Sequence, residues 1–398
     1  MSEYQYYEFS AVDQPLSGQQ QAELRARSTR ATITPGSFVN EYHWGDLKGD
    51  PLDWMQRYFD AHVYFANWGS ARFMLRLPLA ALDEAVLADF LQPSVAAADT
   101  GYGDIFTVTA TATHWILDWS LCDDSGDYAH DWQEDEDSGG SGWMARLLPL
   151  RDELLRGDTR PLYLGWLARV GSEEIGDEDL EPPLPAGLKT LTSAQMALVE
   201  FLEIPIDWLT AAAANSADLA ASTDTAPAID AWLALQSPAQ MRETLRLLLQ
   251  QRGQEAERSV LGRFLAWQRA QQMPGTAAPS KRRTVAQIEV GCTAAERIRL
   301  EREKQESDAL LARKRAERDK HLLQVAGRAN AIWESIDKTL QRGTGGAYEQ
   351  AEKAVQELSE ALALTGRQAE FRSALARLMQ THDKRPAWVS RMRKAGLL

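Results

Sequence analysis

The 398-residue sequence predicts an α+β N-terminal domain, then a mostly α-helical region with a long exposed helix and a C-terminal helical hairpin. Three observations carry this. Polar and apolar residues alternate with period two in the first 122 residues, as they do in strands. Helix-start signals recur from residue 143 onward. From Thr293 to about Leu340 only Gly327 interrupts helix-forming residues.

In chain order, Tyr4, Tyr6 and Glu8 alternate with Gln5, Tyr7 and Phe9, which predicts a first strand. Residues 17–28 read as a short polar helix. Asp50-Pro51 opens a second helix over 50–60, with an N-cap Asp and Pro at the first helical position. The apolar runs His62–Trp68 and Arg72–Leu77 are strands around a turn, and residues 78–92 are helical. Ile105–Leu121 is expected as one long strand, with Trp115, Leu117, Trp119 and Leu121 on one face and His114, Ile116 and Asp118 on the other.

Eight of the fifteen residues from Asp123 to Asp137 are acidic and none is basic, so 123–142 is expected to be a solvated loop. Residues 143–275 read as a helical domain. Its best-marked start is the capping box Ser237-Pro238-Ala239-Gln240, which opens a helix expected to pack through Met241, Leu245, Leu248 and Leu249. A linker over 276–292 contains a short possible strand, Thr284–Val290. The region 293–398 begins at a second capping box, Thr293 to Glu296. Its first helix would span roughly 70 Å at 1.5 Å per residue.

That helix has two halves. Leu322, Val325, Ala329, Ile332, Trp333, Ile336 and Leu340 form an apolar stripe. Residues 296–321 carry pairs of opposite charge four apart, such as Arg299–Glu303 and Arg313–Glu317, and no coiled-coil seam. After the Gly343–Gly346 loop come helices over 347–364 and 367–381 and a last one near 388–394.

Charge divides the chain. Residues 1–280 hold 19 Lys/Arg against 41 Asp/Glu, a net of −22, and residues 281–398 hold 24 against 16, a net of +8, together the −14 of the whole. Opposite fields in one chain point to docking, either of the tail on its own body or on an acidic partner. The basic residues at 281–283, 313–320 and 384–394 are the places to look. The chain's own acidic loops, 123–137 and 173–181, are the first candidate partner.

Thirteen Trp is a high count, and eight lie in the first 170 residues. Core packing is the favoured reading, with an aromatic binding surface as the sharper alternative. Cys122 and Cys292 match no metal spacing, and two lone thiols fit a reducing compartment. The N-terminus lacks the pattern of a signal peptide, and no run is long enough to span a membrane. A cytoplasmic protein is expected.

Signatures of catalysis are weak. Gly343-Thr344-Gly345-Gly346 lacks the Lys of a phosphate-binding loop, and Gly101-Tyr102-Gly103 lacks the third glycine of the dinucleotide fingerprint. The acidic run puts Arg146 where a calcium loop from Asp135 needs a bidentate Glu. No two of the six His stand two, three or four apart, so neither metal nor cofactor is expected. His43, Asp46 and His62 are the best acid–base candidates, and they lack an identifiable nucleophile.

The segment from Trp333 to the end carries Tyr348, Ala351, Leu358, Leu362, Phe371, Leu378, His382, Lys384-Arg385 and Lys394-Ala395-Gly396-Leu397. Over about 65 residues it resembles the C-terminal tail of some bacterial SWIM zinc-finger proteins. The Cys-x-Cys and Cys-x-His zinc ligands of those proteins are absent, so the resemblance implies a helical docking module and no zinc site. The N-terminal part resembles a bacterial protein family without an assigned activity.

These readings together predict a non-enzymatic adaptor or accessory subunit that binds a protein partner through its basic helical tail. The contacts would be Arg313, Lys314, Arg315, Arg318, Lys320, Arg391, Arg393 and Lys394. One alternative is a nucleic-acid-associated factor using the same tail. The other is an enzyme centred on His43, Asp46 and His62.

Overall fold

The structure, a computed structural model, describes residues 3–93, 104–122, 142–219, 226–250, 252–271 and 282–397. The acidic run 123–137, Gly101-Tyr102-Gly103, Trp132 and the first part of the linker, 276–281, fall outside the described residues. The chain forms two compact units, Met1–Arg297 and Ile298–Leu398.

The first unit is built on a seven-stranded antiparallel sheet in the order β2-β3-β1-β4-β5-β7-β6. The strands are β1 (Gln5–Ser10), β2 (Thr32–Thr34), β3 (Ser37–Tyr42), β4 (Ala61–Ala66), β5 (Ser70–Pro78), β6 (Phe106–Ala110) and β7 (His114–Cys122). The run expected as one strand over Ile105–Leu121 is a hairpin. It turns at residues 111–113, where Thr111 N bonds His114 O at 2.8 Å. The pair β2 and β3 was not expected at all.

Short helices punctuate the sheet as their caps predict. In α1 (Gly18–Arg27), Ser17 and Gln20 close a capping box, and in α2 (Pro51–Arg57) the Asp50 carboxylate accepts from Leu52 N. A 3-10 turn and α3 (Glu84–Phe90) occupy the segment expected to be helical over 78–92.

The apolar face of the sheet is covered by α4 (Trp143–Leu147), α5 (Pro149–Leu155), α6 (Arg160–Gly171), α7 (Ser193–Phe201) and α8 (Ile206–Ala213). One hydrophobic core joins Phe73, Leu75, Leu117 and Trp119 of the strands to Leu147, Tyr163, Trp166, Leu198 and Leu209 of the helices. Residues 1–122 and 143–275 therefore do not enclose separate cores. Helix α6 is central: all but its last residue are buried. Gly165 lets it lie close to the strands, because a Cβ there would come within 2.6 Å of Trp119 Nε1 and 2.8 Å of Phe106.

Helices α9 (Ala226–Ala234), α10 (Pro238–Leu249) and α11 (Gly253–Gln271) follow. The Ser237 capping box of α10 is present. Its packing face is not the expected one: Met241, Leu245, Leu248 and Leu249 are exposed, and Leu247 is buried. The helix packs on α11 through the side that carries Leu247, and Arg263 Nη2 reaches Thr244 Oγ1 at 3.1 Å.

The linker strand expected over Thr284–Val290 is instead the start of α12 (Val285–Gly327). Thr284 makes only an isolated bridge to Leu180. Val285 and Ile288 are buried in the core of the sheet unit, which a strand's alternation would not achieve. Thr293 consequently lies inside the helix, where its hydroxyl donates to Glu289 O.

In the second unit, α12 ends at Gly327 and is followed by α13 (Ala329–Gln341), α14 (Gly345–Leu364), α15 (Gln368–Thr381) and α16 (Pro386–Lys394). The stripe from Leu322 to Leu340 packs with Val355, Leu358, Leu362, Phe371, Trp388 and Met392 into a separate core. Buried His382 binds Asp337 Oδ1 at 2.7 Å and so ties the end of α15 to α13.

Among the tryptophans, Trp54, Trp119, Trp143 and Trp166 are buried, which is the packing role expected for most of them. Trp44 is 78% exposed and Trp68 44%. No helix among the described residues is long and apolar enough to cross a membrane.

Candidate functional site

Because side chains alternate along each strand, the register settles which ones meet on each face. One face is wholly apolar where the helices cover it. On the other, two rows of paired residues run across the strands. The first is Asn40–Tyr7–Tyr64–Arg72–Ser120 and the second is Phe38–Phe9–His62–Met74–Asp118. Helices α1 and α2 cover Phe9, Phe38 and Met74, with Trp54, Met55 and Leu24 in the same core. Beside that core lies a cavity of about 240 Å³, whose walls include Tyr7, His62, Tyr64, Arg72, Ser120 and Cys122.

Its polar groups are held in defined roles. Arg72 grips Asp118 with Nε at 3.0 Å and Nη2 at 2.6 Å, a bidentate pair. The Tyr7 hydroxyl donates to Asp46 Oδ1 at 2.7 Å, and Tyr64 donates to Gln5 Oε1 at 3.2 Å. Burial raises both phenol pKa values, and the neighbouring Asp46 adds to the effect. His62 is completely buried and stacks on Phe9 with centroids 3.9 Å apart. Its burial pushes its pKa down to about 3, so the ring is neutral. Nδ1 lies 3.0 Å from Glu8 O. A carbonyl only accepts, so Nδ1 carries the proton and Nε2 is a bare acceptor. Nε2 has no hydrogen-bond partner among the described residues.

The acid–base trio does not gather in one cleft. Tyr7 links two of its members, holding Asp46 by its hydroxyl and stacking on His62 at 6.1 Å. His43 is exposed and lies against Tyr4, 5.4 Å between centroids, and Tyr4 packs on the other core. Sequence reasoning missed Tyr7, Tyr64, Arg72 and Ser120. Their only signal is polar residues at alternate positions in four separate strands, which becomes a site once the register aligns them. Asp118, expected on the same strand face as His114, is held by Arg72.

The basic positions divide into paired and displayed groups. Arg283 is bound into the first unit: it makes a bidentate pair with Glu181, at 2.7 and 2.8 Å, and donates to Ala211 O and Ala212 O. Glu181 also accepts from Tyr163. The carbonyls of Asp177 and Asp179 receive Ala286 N and Val285 N at the α12 N-terminus, and Arg282 binds Asp89 at 2.9 Å. The acidic segment 173–181 is thus the partner of Arg283 and of the α12 N-terminus, whereas Arg282 pairs with Asp89.

Further along, Arg318 binds Glu360 at 2.6 Å and Arg391 binds Glu352 at 2.9 Å, both within the second unit. Arg313 pairs with Glu317 at 3.2 Å along its own helix, as the charge ladder predicts. Lys314, Arg315, Lys320, Arg393 and Lys394 are exposed. Ile298, Leu300, Leu310 and Leu311 are exposed as well.

No group of three His, Cys, Asp or Glu among the described residues is arranged to hold a metal ion. No protein-family model, curated protein or solved structure matches the chain.

Proposed function

We propose that the protein is a non-enzymatic adaptor or accessory subunit that binds an acidic protein surface through the basic stretch of α12 and the end of α16. The observation that carries this reading is the display of Arg313, Lys314, Arg315 and Lys320 on a helix segment, residues 302–321, exposed at every position. An isolated helix gains only a few tenths of a kcal/mol from each i,i+4 pair, so packing does not account for so many cations at this place. Arg393 and Lys394 extend the surface. Arg318 and Arg391, tied to glutamates, position the helices that present it. Interleaved Glu317 and Asp319 disfavour a polyphosphate and suit a protein surface with charges of both signs. A cytoplasmic setting belongs to this reading and is supported by the free thiols of Cys122 and Cys292.

The test uses the full chain, because removing residues beyond 280 would strip Arg283, Val285 and Ile288 from the first unit's core. Affinity capture with the wild type is compared with an Arg313→Glu, Lys314→Glu, Arg315→Glu, Lys320→Glu variant. A partner retained by the wild type, released by raised salt and lost from the variant is expected. Identical partner sets would overturn the reading, and loss of nucleic acid alone would replace the protein partner by that ligand.

A further inference from the structure

Helix α12 divides its charge along the exposed stretch. Residues 301–308 carry Glu301, Glu303, Glu306 and Asp308 against Arg302 and Lys304. Residues 313–320 reverse this, with five cations against Glu317 and Asp319. Leu310 and Leu311 stand between the halves, 52% and 49% exposed.

A helix with an acidic and a basic half complements itself when two copies run antiparallel. A two-fold axis between Leu310 and Leu311 fixes the register, and the charges can then be checked level by level. Asp308 of one copy stands level with Arg313 of the other, Glu306 with Arg315 and Lys304 with Glu317. Each residue of 301–303 likewise meets one of opposite sign at 318–320. No like charges meet over the whole stretch. Shifting the register by one residue sets Glu301 level with Asp319 in one direction and Arg302 level with Lys320 in the other. A parallel pair sets every charge level with itself.

We infer that the acidic surface bound by this stretch is the same stretch of a second copy of the chain, antiparallel and centred on Leu310 and Leu311. The inference rests on the reading of α12 as a protein-binding surface and names its partner. The four leucines supply the apolar contact, and the charges set orientation and register. Residues 296–321 have no coiled-coil seam, so the contact is a crossing of two helices. Arg318 contributes least, because Glu360 of its own chain already holds it.

The test is sedimentation of the purified full chain over a range of concentrations and salt. A dimer that weakens as salt is raised is expected. A Glu306→Lys, Asp308→Lys variant and an Arg313→Glu, Arg315→Glu variant each set like charges level in the homodimer. Each should dimerise at least about tenfold more weakly. Mixed in equal amounts, the two variants are complementary at all of these levels and should pair with each other, which also shows that both are folded. A dimer indifferent to both variants, or a mixture that stays monomeric, would overturn the inference. A wild type monomeric at every concentration would overturn it too. That last result would leave the acidic-surface reading standing if affinity capture still retained a different protein through Arg313, Lys314, Arg315 and Lys320.

Discussion

Arginine has opposite roles in the two units. In the sheet unit Arg151, Arg160, Arg169 and Arg283 are largely buried, and each has its own carboxylate: Asp13, Asp158, Glu174 and Glu181. Two of these pairs join distant parts of the chain, Arg151 with Asp13 and Arg283 with Glu181. A buried charge without a partner is costly, so such pairs fix which segments meet. Along α12 the basic side chains stand in solvent. Arg313 and Glu317 are 78% and 66% exposed, where an ion pair contributes little. The difference teaches that net charge alone does not locate a binding surface. The basic residues at 282–283 serve the fold, whereas Lys314, Arg315 and Lys320 stand exposed.

The comparison can be broken in four places. The largest effect belongs to Arg169→Met, which strands the Glu174 carboxylate. It should lower unfolding free energy by about 3–5 kcal/mol in urea titration, whereas a cost under about 1 kcal/mol would place Arg169 with the solvent-exposed group.

Histidine draws the same contrast, His62 being buried in the first unit and His321 exposed in the second. The folded pKa of His62, about 3, lies below the ordinary 6.5. Its unfolded form therefore binds more protons between those values, and stability falls as pH drops from 6.5 toward 3. Between pH 6.5 and 4.5 this amounts to roughly 2–3 kcal/mol, at about 1.4 kcal/mol per pKa unit. The wild type should lose that much more than His62→Phe over the same interval, and parallel pH profiles would contradict it.

Gly165→Ala should cost about 1–3 kcal/mol by pushing α6 off Trp119 and Phe106, read as a lower melting temperature. The smallest effect is that of Arg318→Ala, whose side chain is half exposed. It should change stability by under about 1 kcal/mol. A larger loss would mean that this arginine acts like those of the sheet unit.

Local signals in the sequence were enough for the α+β-then-helical order and for the helix starts at Ser17, Asp50 and Ser237, because caps and periodicity act within a few residues. Non-local features were hidden. Thr32–Thr34 is too short to show a period. The turn at Thr111–Thr113 has no Gly, Pro, Asn or Asp to mark it. Thr284–Val290 alternates like a strand, yet burying Val285 and Ile288 together, three residues apart, requires a helix. In α10, apolar spacing marked a face that the fold leaves exposed. The cavity depends on four strands whose pairing no single strand encodes, whereas the exposed cations of α12 were legible because they sit in one uninterrupted run of helix-forming residues.

The most direct test of that displayed surface is site-specific photo-crosslinking in cells, with the probe at position 314 of the full chain and, as control, at the exposed position 30. The account predicts a discrete protein adduct from position 314 that is absent from position 30 and disappears when Arg313, Arg315 and Lys320 are replaced by Glu. No adduct at position 314, or the same adducts from both positions, would contradict it.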